Sequence, residues 1–313
     1  MFESFLLTIL NFKKEHCKEL VPITELNGVI SLCKLLDCLI SKYMERNISN
    51  NPPALLLKLL FFFSVTWSIC ASVDDFGRNK IDNLIRQLES SYPTENTVYD
   101  YYVDTLNIVW ISWSEKLQQN WKYDSSIPFY KMMVPTSDTV RYSYLITMML
   151  QKQYPILLVG PSGHGKTLII NHVINNLDIT KYSKLIVNFS SQIKLCRIQR
   201  IIESKVEKKM KEVYIPQNGT KMVVFIDDLN IPSNDKFGSQ PSLELIRMLI
   251  TYGFWHDCEN FQKKCIEDLV IIAAMNPCVA GKAIISARLQ NLFLLINTTH
   301  IQKNELLDFF FYI

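Results

Sequence analysis

A short run of glycines followed by one lysine and one threonine has the clearest chemical meaning in this chain. Residues 160–167 read GPSGHGKT and follow the apolar run 155–159, PILLV. The spacing fits G-x-x-x-x-G-K-[ST], a loop whose glycines let successive backbone N–H groups point at phosphate oxygens. Lys166 would reach the outer phosphates, and the hydroxyl of Thr167 would hold Mg²⁺. The pattern predicts an ATP-type site between a strand and a helix; a tight turn without a ligand is the alternative.

All eight residues of this loop are assigned to phosphate binding. They are Gly160, Pro161, Ser162, Gly163, His164, Gly165, Lys166 and Thr167. No catalytic role is expected for His164, which stands at a permissive position of the loop. The helix that follows the loop would turn its positive N-terminal end toward the same anion.

Two adjacent carboxylates close a second apolar run. Residues 222–226, MVVFI, predict a buried strand, and Asp227 and Asp228 follow it directly. We expect Asp227 to orient Mg²⁺, usually through water, because this ion keeps much of its hydration shell. Asp228 would polarise the water that attacks the terminal phosphate. A strand that ends at two solvated acids is the alternative, and the phosphate loop earlier in the chain favours the catalytic interpretation.

An amide stands at the end of the next apolar strand. Asn276 follows residues 269–275 and precedes Pro277. Its side chain would hold the attacking water or touch the terminal phosphate, whereas an ordinary Asn-Pro turn is the alternative. In register with the loop and the two acids, Asn276 is predicted to be catalytic together with Asp228.

Helices and strands that alternate from about residue 135 must position these residues. Strands are predicted at 156–159, 185–189, 222–226, 269–275 and 293–296, and helices at 139–151, 167–176, 193–212 and 243–252. Such alternation predicts an α/β fold, a mainly parallel sheet of about five strands with helices on both faces. Ligands of these sheets bind at the carboxyl ends of the strands, where the loop lies.

The N-terminal part has a different pattern. Residues 1–90 predict an all-helical subdomain, and residues 98–113 predict a β-hairpin near the start of a second domain, 91–313. The apolar run Ala54–Val73 is long enough to cross a membrane, but it contains Lys58 and several hydroxyl side chains. We expect it to be a buried helix of the helical subdomain.

Composition excludes several classes of protein. The 313 residues carry 33 basic and 30 acidic side chains, a net charge of +3 that gives no reason to expect nucleic-acid binding. The eight cysteines form no C-x-x-C pair and are interpreted as reduced thiols, not as a disulfide framework or a zinc site.

Longer motifs identify a family. Residues 225–232, FIDDLNIP, with 236–241, KFGSQP, and 244–247, ELIR, resemble the third AAA+ module of an axonemal dynein heavy chain. Residues 134–142, VPTSDTVRY, are similar to the segment before the phosphate loop of that module. Residues 63–68, FSVTWS, resemble the end of the helical lid of the second module. The resemblance covers about residues 16–297.

The resemblance implies a P-loop AAA+ module in a ring-shaped, minus-end-directed microtubule motor. Residues 1–90 would be the lid of the preceding module, and 91–313 the large subdomain of the third, whose own lid would lie beyond Ile313. Its cofactors would be ATP or ADP and Mg²⁺. Its partners would be other AAA+ modules of the ring, with dynein intermediate and light chains and microtubules bound by other parts of the parent chain. The implied location is the cytoplasm and cytoskeleton, in the axoneme of a cilium, with no membrane.

Two departures from the family pattern affect the expected activity. Asp228 occupies the position of the usual catalytic glutamate and is one methylene shorter, so we expect slow hydrolysis or none. The expected R-x-x-R-H-F reads RLQNLF at 288–293, which leaves Arg288 either as a finger to a neighbouring site or as a surface arginine. A non-motor fragment that binds nucleotide or partners without turnover is the alternative function, and an unrelated P-loop kinase is a third.

Overall fold

A computed structural model of the chain describes residues 5–46, 52–117, 128, 132–277 and 284–299. Within them, the helices are α1 (Leu7–His16), α2 (Glu25–Arg46), α3 (Ala54–Ser68), α4 (Asp75–Leu88), α5 (Ser137–Gln151), α6 (Lys166–Asn175), α7 (Leu195–Glu203), α8 (Pro241–Tyr252) and α9 (Ala287–Gln290). The strands are β1 (Tyr101–Asp104), β2 (Val109–Ser112), β3 (Ile156–Val159), β4 (Tyr182–Asn188), β5 (Val206–Lys208), β6 (Val213–Pro216), β7 (Lys221–Asp227), β8 (Phe254–His256), β9 (Lys263–Ile266), β10 (Leu269–Met275) and β11 (Leu294–Asn297).

Five strands form the central sheet in the order β11-β3-β10-β7-β4, and every neighbouring pair is parallel. All four residues of β3 are buried, as are six of the seven residues of β10. Strands covered on both faces read as continuous apolar runs, which is why their positions could be predicted. The structure confirms the predicted α/β fold with a parallel sheet.

Helices cover both faces of the sheet, as predicted. Ile156 and Leu158 of β3 face a core shared with α5, α6 and the N-terminal helices. Leu157 and Val159 face the opposite core, which is filled by α7 and α8. Successive residues of a strand point to opposite faces, so one short strand contributes to both cores.

A second sheet of four strands, β5-β6-β9-β8, was not predicted. The predicted helix over 193–212 is wrong beyond Glu203, where α7 ends and β5 and β6 form an antiparallel hairpin. β6 also pairs in parallel with β9, and this pairing between distant segments outweighs the local helical preference of a lysine- and glutamate-rich stretch.

The N-terminal segment is helical, and the following hairpin is formed by β1 and β2 as predicted. The helix over Ala54–Ser72 is long and apolar enough to cross a membrane by length and composition, yet 78% of its most apolar window is buried inside the chain. Phe61, Phe62 and Trp67 are fully buried in the core that reaches the sheet. Lys58, the one charge of this run, pairs with Glu89 at 2.7 Å.

Candidate nucleotide-binding site

The sheet brings the predicted site residues to one edge. β10 lies between β3 and β7, and its register places Met275 beside Val159 and Ala273 beside Ile226. The carboxyl ends of these three strands therefore meet. The glycine-rich loop follows β3, Asp227 ends β7 and Asp228 follows it, and Asn276 follows β10. The loop is anchored at its start, where the N–H of Gly160 donates to the carbonyl of Met275 at 3.2 Å.

Two glycines of the loop need the left-handed backbone region. Gly163 has φ of +88° and Gly165 has φ of +71°. A Cβ on either residue would meet no atom within 4 Å, so the requirement comes from the backbone conformation and not from space. Gly165 immediately precedes Lys166, the first residue of α6, so this curvature delivers the chain to the helix N-terminus.

Gly160 is required for a different reason. A Cβ there would lie 1.9 Å from Oγ1 of Thr298, which follows β11. The N–H of Thr298 donates to the carbonyl of Val159 at 2.7 Å, which keeps the end of β11 against the start of the loop. Sequence reasoning missed Thr298, because its contact with the loop joins segments more than a hundred residues apart.

The ammonium of Lys166 lies where the loop meets β10. The residue is 8% exposed, and Nζ donates to the carbonyl oxygens of Gly160 at 2.7 Å and Pro161 at 2.8 Å. It also donates to Oδ1 of Asn276 at 3.1 Å. These three neutral oxygens orient a positive charge at the mouth of the loop, the position that a phosphate-binding lysine needs.

Thr167 and Asp227 offer oxygen atoms on the neighbouring side of the loop. Oγ1 of Thr167 donates to Oδ2 of Asp227 at 2.9 Å, and Oδ1 of Asp227 accepts the N–H of Asp228 at 3.0 Å. A hydroxyl beside a carboxylate is the kind of hard-oxygen set that Mg²⁺ takes in nucleotide sites. The residues predicted to hold Mg²⁺ are therefore brought together in a form that fits the ion.

Asp228 and Asn276 are also brought together. Asp228 adopts φ of +56°, an uncommon left-handed conformation for a residue with a side chain, and Nδ2 of Asn276 reaches its Oδ1 at 3.4 Å. Asn230, which is fully buried, donates to the backbone carbonyl of Asn276 at 2.8 Å. In the sequence, Asn230 stands out only as part of the family motif. In the structure it holds the backbone of Asn276 in place.

The other polar loop residues have contacts of their own. Oγ of Ser162 donates to Oδ1 of Asn276 at 3.3 Å, so this amide oxygen accepts from both the loop serine and the loop lysine. Nδ1 of His164 lies 3.0 Å from the carbonyl of Pro161, a contact that closes the loop on itself.

A cavity of about 910 Å³ opens in front of these residues. It is lined by residues of the loop, by both acids and Asn276, and by residues that were not predicted from the sequence, among them Asn171, His172, Asn175 and Ile186. Burial lowers the pKa of His172, which favours the neutral form of its ring. Arg288 is exposed on α9 and does not line the cavity.

Comparison with known proteins gives two adjoining family matches. A family described as the P-loop containing dynein motor region matches residues 121–301, and the dynein heavy chain AAA lid domain matches residues 1–115. Dynein axonemal heavy chain 2 of Mus musculus is 47% identical over 311 residues, and that of Homo sapiens is 46% identical over the same length. Each alignment covers 99% of this chain and 7% of the relative.

A third relative is less similar in sequence. The flagellar inner arm I1 complex dynein-1-beta heavy chain of Chlamydomonas reinhardtii is 32% identical over 337 residues, which covers 98% of this chain and 8% of that one. The chain thus spans less than a tenth of the length of these relatives. The matches confirm the resemblance seen in the sequence and show that the chain belongs to the dynein heavy chain family, with axonemal heavy chains among its relatives.

Proposed function

We propose that this chain binds Mg-ATP or Mg-ADP as a regulatory AAA+ module, the third, of an axonemal dynein heavy chain. One observation carries the proposal: Lys166 meets Asn276 while Thr167 meets Asp227, so charge, metal ligands and amide converge on one cavity at the ends of three adjacent strands. The segment before residue 91 would be the lid of the preceding module.

Each residue would have a distinct task in binding. The loop N–H groups and the ammonium of Lys166 would hold the phosphates, and Lys166 would exchange its bond to Asn276 for phosphate oxygens. Thr167 and Asp227 would hold Mg²⁺, with Asp227 acting in part through water. When bound, the ion would neutralise phosphate charge.

Turnover would be slow because of Asp228. Its carboxylate is one methylene shorter than a glutamate, and it is already in contact with the amide of Asn276. Asp228 would have to polarise the attacking water, while Asn276 would hold that water or the terminal phosphate. A module that hydrolyses ATP slowly keeps its nucleotide bound for a long time. Such a module is better suited to regulating another site than to rapid turnover.

The motor activity would belong to the whole parent chain. Movement toward microtubule minus ends, other AAA+ modules of the ring, intermediate and light chains and the axonemal location would all concern the whole protein, and this chain covers only 7% of the length of the mouse relative. The alternative is a fragment that binds nucleotide or partners without any turnover, and the dynein family matches argue against an unrelated kinase.

Titration with a fluorescent ADP or ATP analogue tests the proposal. Lys166→Ala should weaken binding about 10- to 100-fold, the range expected when a hydrogen bond from a charged group is lost. Lys181→Ala is the matched control, since this exposed lysine lies away from the cavity. Equal, weak binding by wild type and Lys166→Ala would overturn the proposal. Single-turnover hydrolysis would separate slow turnover from none.

A further inference from the structure

Three parts of the chain meet at residues 297–299, the carboxyl end of β11, which we call the β11 junction. The N-terminal helical segment, helix α5 and the phosphate loop all contact it. Asn297 and Thr298 are almost fully buried, at 1% and 4% exposure. The junction is therefore an internal connection between segments that are far apart in sequence.

Asn297 binds the helical segment with both its side chain and its backbone. Nδ2 donates to the carbonyl oxygens of Ser72 and Val73. In return, the guanidinium of Arg78 donates to the carbonyl of Asn297 at 2.6 Å. Arg78 is itself buried and lies over the ring of Tyr99 at 4.7 Å, so its position is fixed by packing.

Thr299 binds helix α5. Its N–H donates to the hydroxyl of Tyr142 at 3.2 Å, and its own hydroxyl donates to Oδ2 of Asp138 at 3.2 Å. The guanidinium of Arg141 reaches the same hydroxyl at 3.1 Å. The hydroxyl of Tyr142 also donates to the carbonyl of Asn297 at 3.4 Å, so α5 contacts the junction at two of its residues.

Thr298 faces the phosphate loop. Its N–H and its hydroxyl both donate to the carbonyl of Val159, at 2.7 Å and 3.2 Å. Oγ1 occupies the space that a Cβ on Gly160 would need. The carbonyl of Gly160 accepts from Nζ of Lys166 at 2.7 Å, so Thr298 is separated from the ammonium by a single backbone group.

We propose that Asn297 is a positioning residue of the nucleotide site: it binds the helical segment and, through Thr298, fixes Gly160 and the lysine that depends on it. When the segment shifts, the buried amide of Asn297 loses its acceptors, and the adjacent Thr298 moves against the loop. Coupling between two sites is reciprocal, so nucleotide in the cavity must hold the segment more tightly in place. This inference rests on the proposed nucleotide binding.

The test uses the full chain and two measurements, the Kd for Mg-ADP and hydrogen–deuterium exchange over residues 72–78. In wild type, saturating Mg-ADP should slow exchange over these residues, and Lys166→Ala should remove that response. Asn297→Asp keeps the shape of the side chain but replaces the Nδ2 donor by a carboxylate oxygen, which cannot donate to the carbonyl oxygens of Ser72 and Val73. It should weaken Mg-ADP binding about 5-fold or more, within the usual range of coupling between sites, and abolish the exchange response.

A second pair of variants keeps the test decisive if Asn297→Asp does not fold. Thr298→Val has nearly the same shape without the hydroxyl and should lose the exchange response, whereas Thr298→Ser should restore it. A purely structural role for Thr298 would not distinguish these two in that way. The coupling is wrong if wild type binds Mg-ADP, the nucleotide does not change the exchange rate over residues 72–78, and Asn297→Asp or Thr298→Val binds Mg-ADP as tightly as wild type does. The proposed nucleotide binding would still stand in that case. If wild type binds no nucleotide, both fail.

Discussion

The hydroxyl of Thr167 donates a 2.9 Å hydrogen bond to the carboxylate of Asp227, joining the first turn of α6 to the last residue of β7. The local sequence around either residue does not predict this contact, because the two residues are 60 positions apart. Their contact depends on the parallel order of β3, β10 and β7, which places both at the same edge of the sheet.

Replacing either member of this pair should make nucleotide binding insensitive to Mg²⁺. Thr167→Val and Asp227→Asn each remove an oxygen ligand or its charge, and we expect Mg-ADP affinity to fall about 10-fold while metal-free ADP affinity changes little. Titrations with and without EDTA measure this. Thr180→Val is the matched control, since Thr180 makes a similar bond to Asp178 at an exposed site away from the cavity. An equal loss with and without metal would contradict the assignment.

Gly160→Ala should destabilise the fold through one contact. The added Cβ would lie 1.9 Å from Oγ1 of Thr298, and overpacking of this kind costs about 1–3 kcal/mol. Urea unfolding of the single variants and of Gly160→Ala with Thr298→Ala forms a double-mutant cycle. The two changes should be non-additive, because the second removes the atom that the first displaces. Strict additivity would show that the cost arises elsewhere.

Asp228→Glu should raise the rate of ATP hydrolysis. The longer side chain carries the carboxylate one methylene further toward the terminal phosphate, and a well-placed general base contributes about 10²- to 10⁴-fold to a rate. We expect a gain on the order of 10-fold in single-turnover hydrolysis, with Asp228→Asn lowering any residual rate. An unchanged rate in Asp228→Glu would mean that the length of this side chain is not what limits turnover.

The Lys58–Glu89 pair should make stability depend on acid pH. Burial tends to raise the pKa of Glu89, but hydrogen bonds from Lys58 and Ser91 outweigh it and hold that pKa below its usual value. A carboxyl with a lowered folded-state pKa contributes stability that is present above its unfolded pKa, about 4.3, and is lost as pH falls through the folded value.

Glu89→Gln should therefore cost about 1–3 kcal/mol near neutral pH, and this difference should shrink below about pH 4. Urea unfolding at about pH 7 and about pH 3 measures it. In a Lys58→Met background the effect of Glu89→Gln should be smaller, because the partner that stabilises the carboxylate is gone. A cost that stays constant across this range would exclude the charged pair as its source.

The central sheet could be predicted because its strands carry their signal locally. β10 begins at Leu269 and ends at Met275, as the continuous apolar run indicates. The segment after Glu203 could not be predicted, since Val213–Pro216 becomes a strand by pairing with β9, some fifty residues later. Local sequence preference predicts the secondary structure of a segment only where its tertiary contacts favour the same structure.

The same distinction applies to the site. Lys166, Asp227 and Asn276 each stand directly after or near an apolar strand, and the geometry of parallel sheets brings such positions together. Asn230 and Thr298 act through a backbone carbonyl and through occupied space. Such roles depend on three-dimensional packing, and no sequence pattern predicts them.

The burial of α3 has a consequence for how the molecule unfolds. Trp67 of this helix and Ile156 of the central sheet belong to one continuous core, which crosses the predicted boundary near residue 90. Heat or denaturant should therefore melt the helical segment and the sheet in a single cooperative transition. A substitution that destabilises α3 should therefore also destabilise the sheet that carries the phosphate loop.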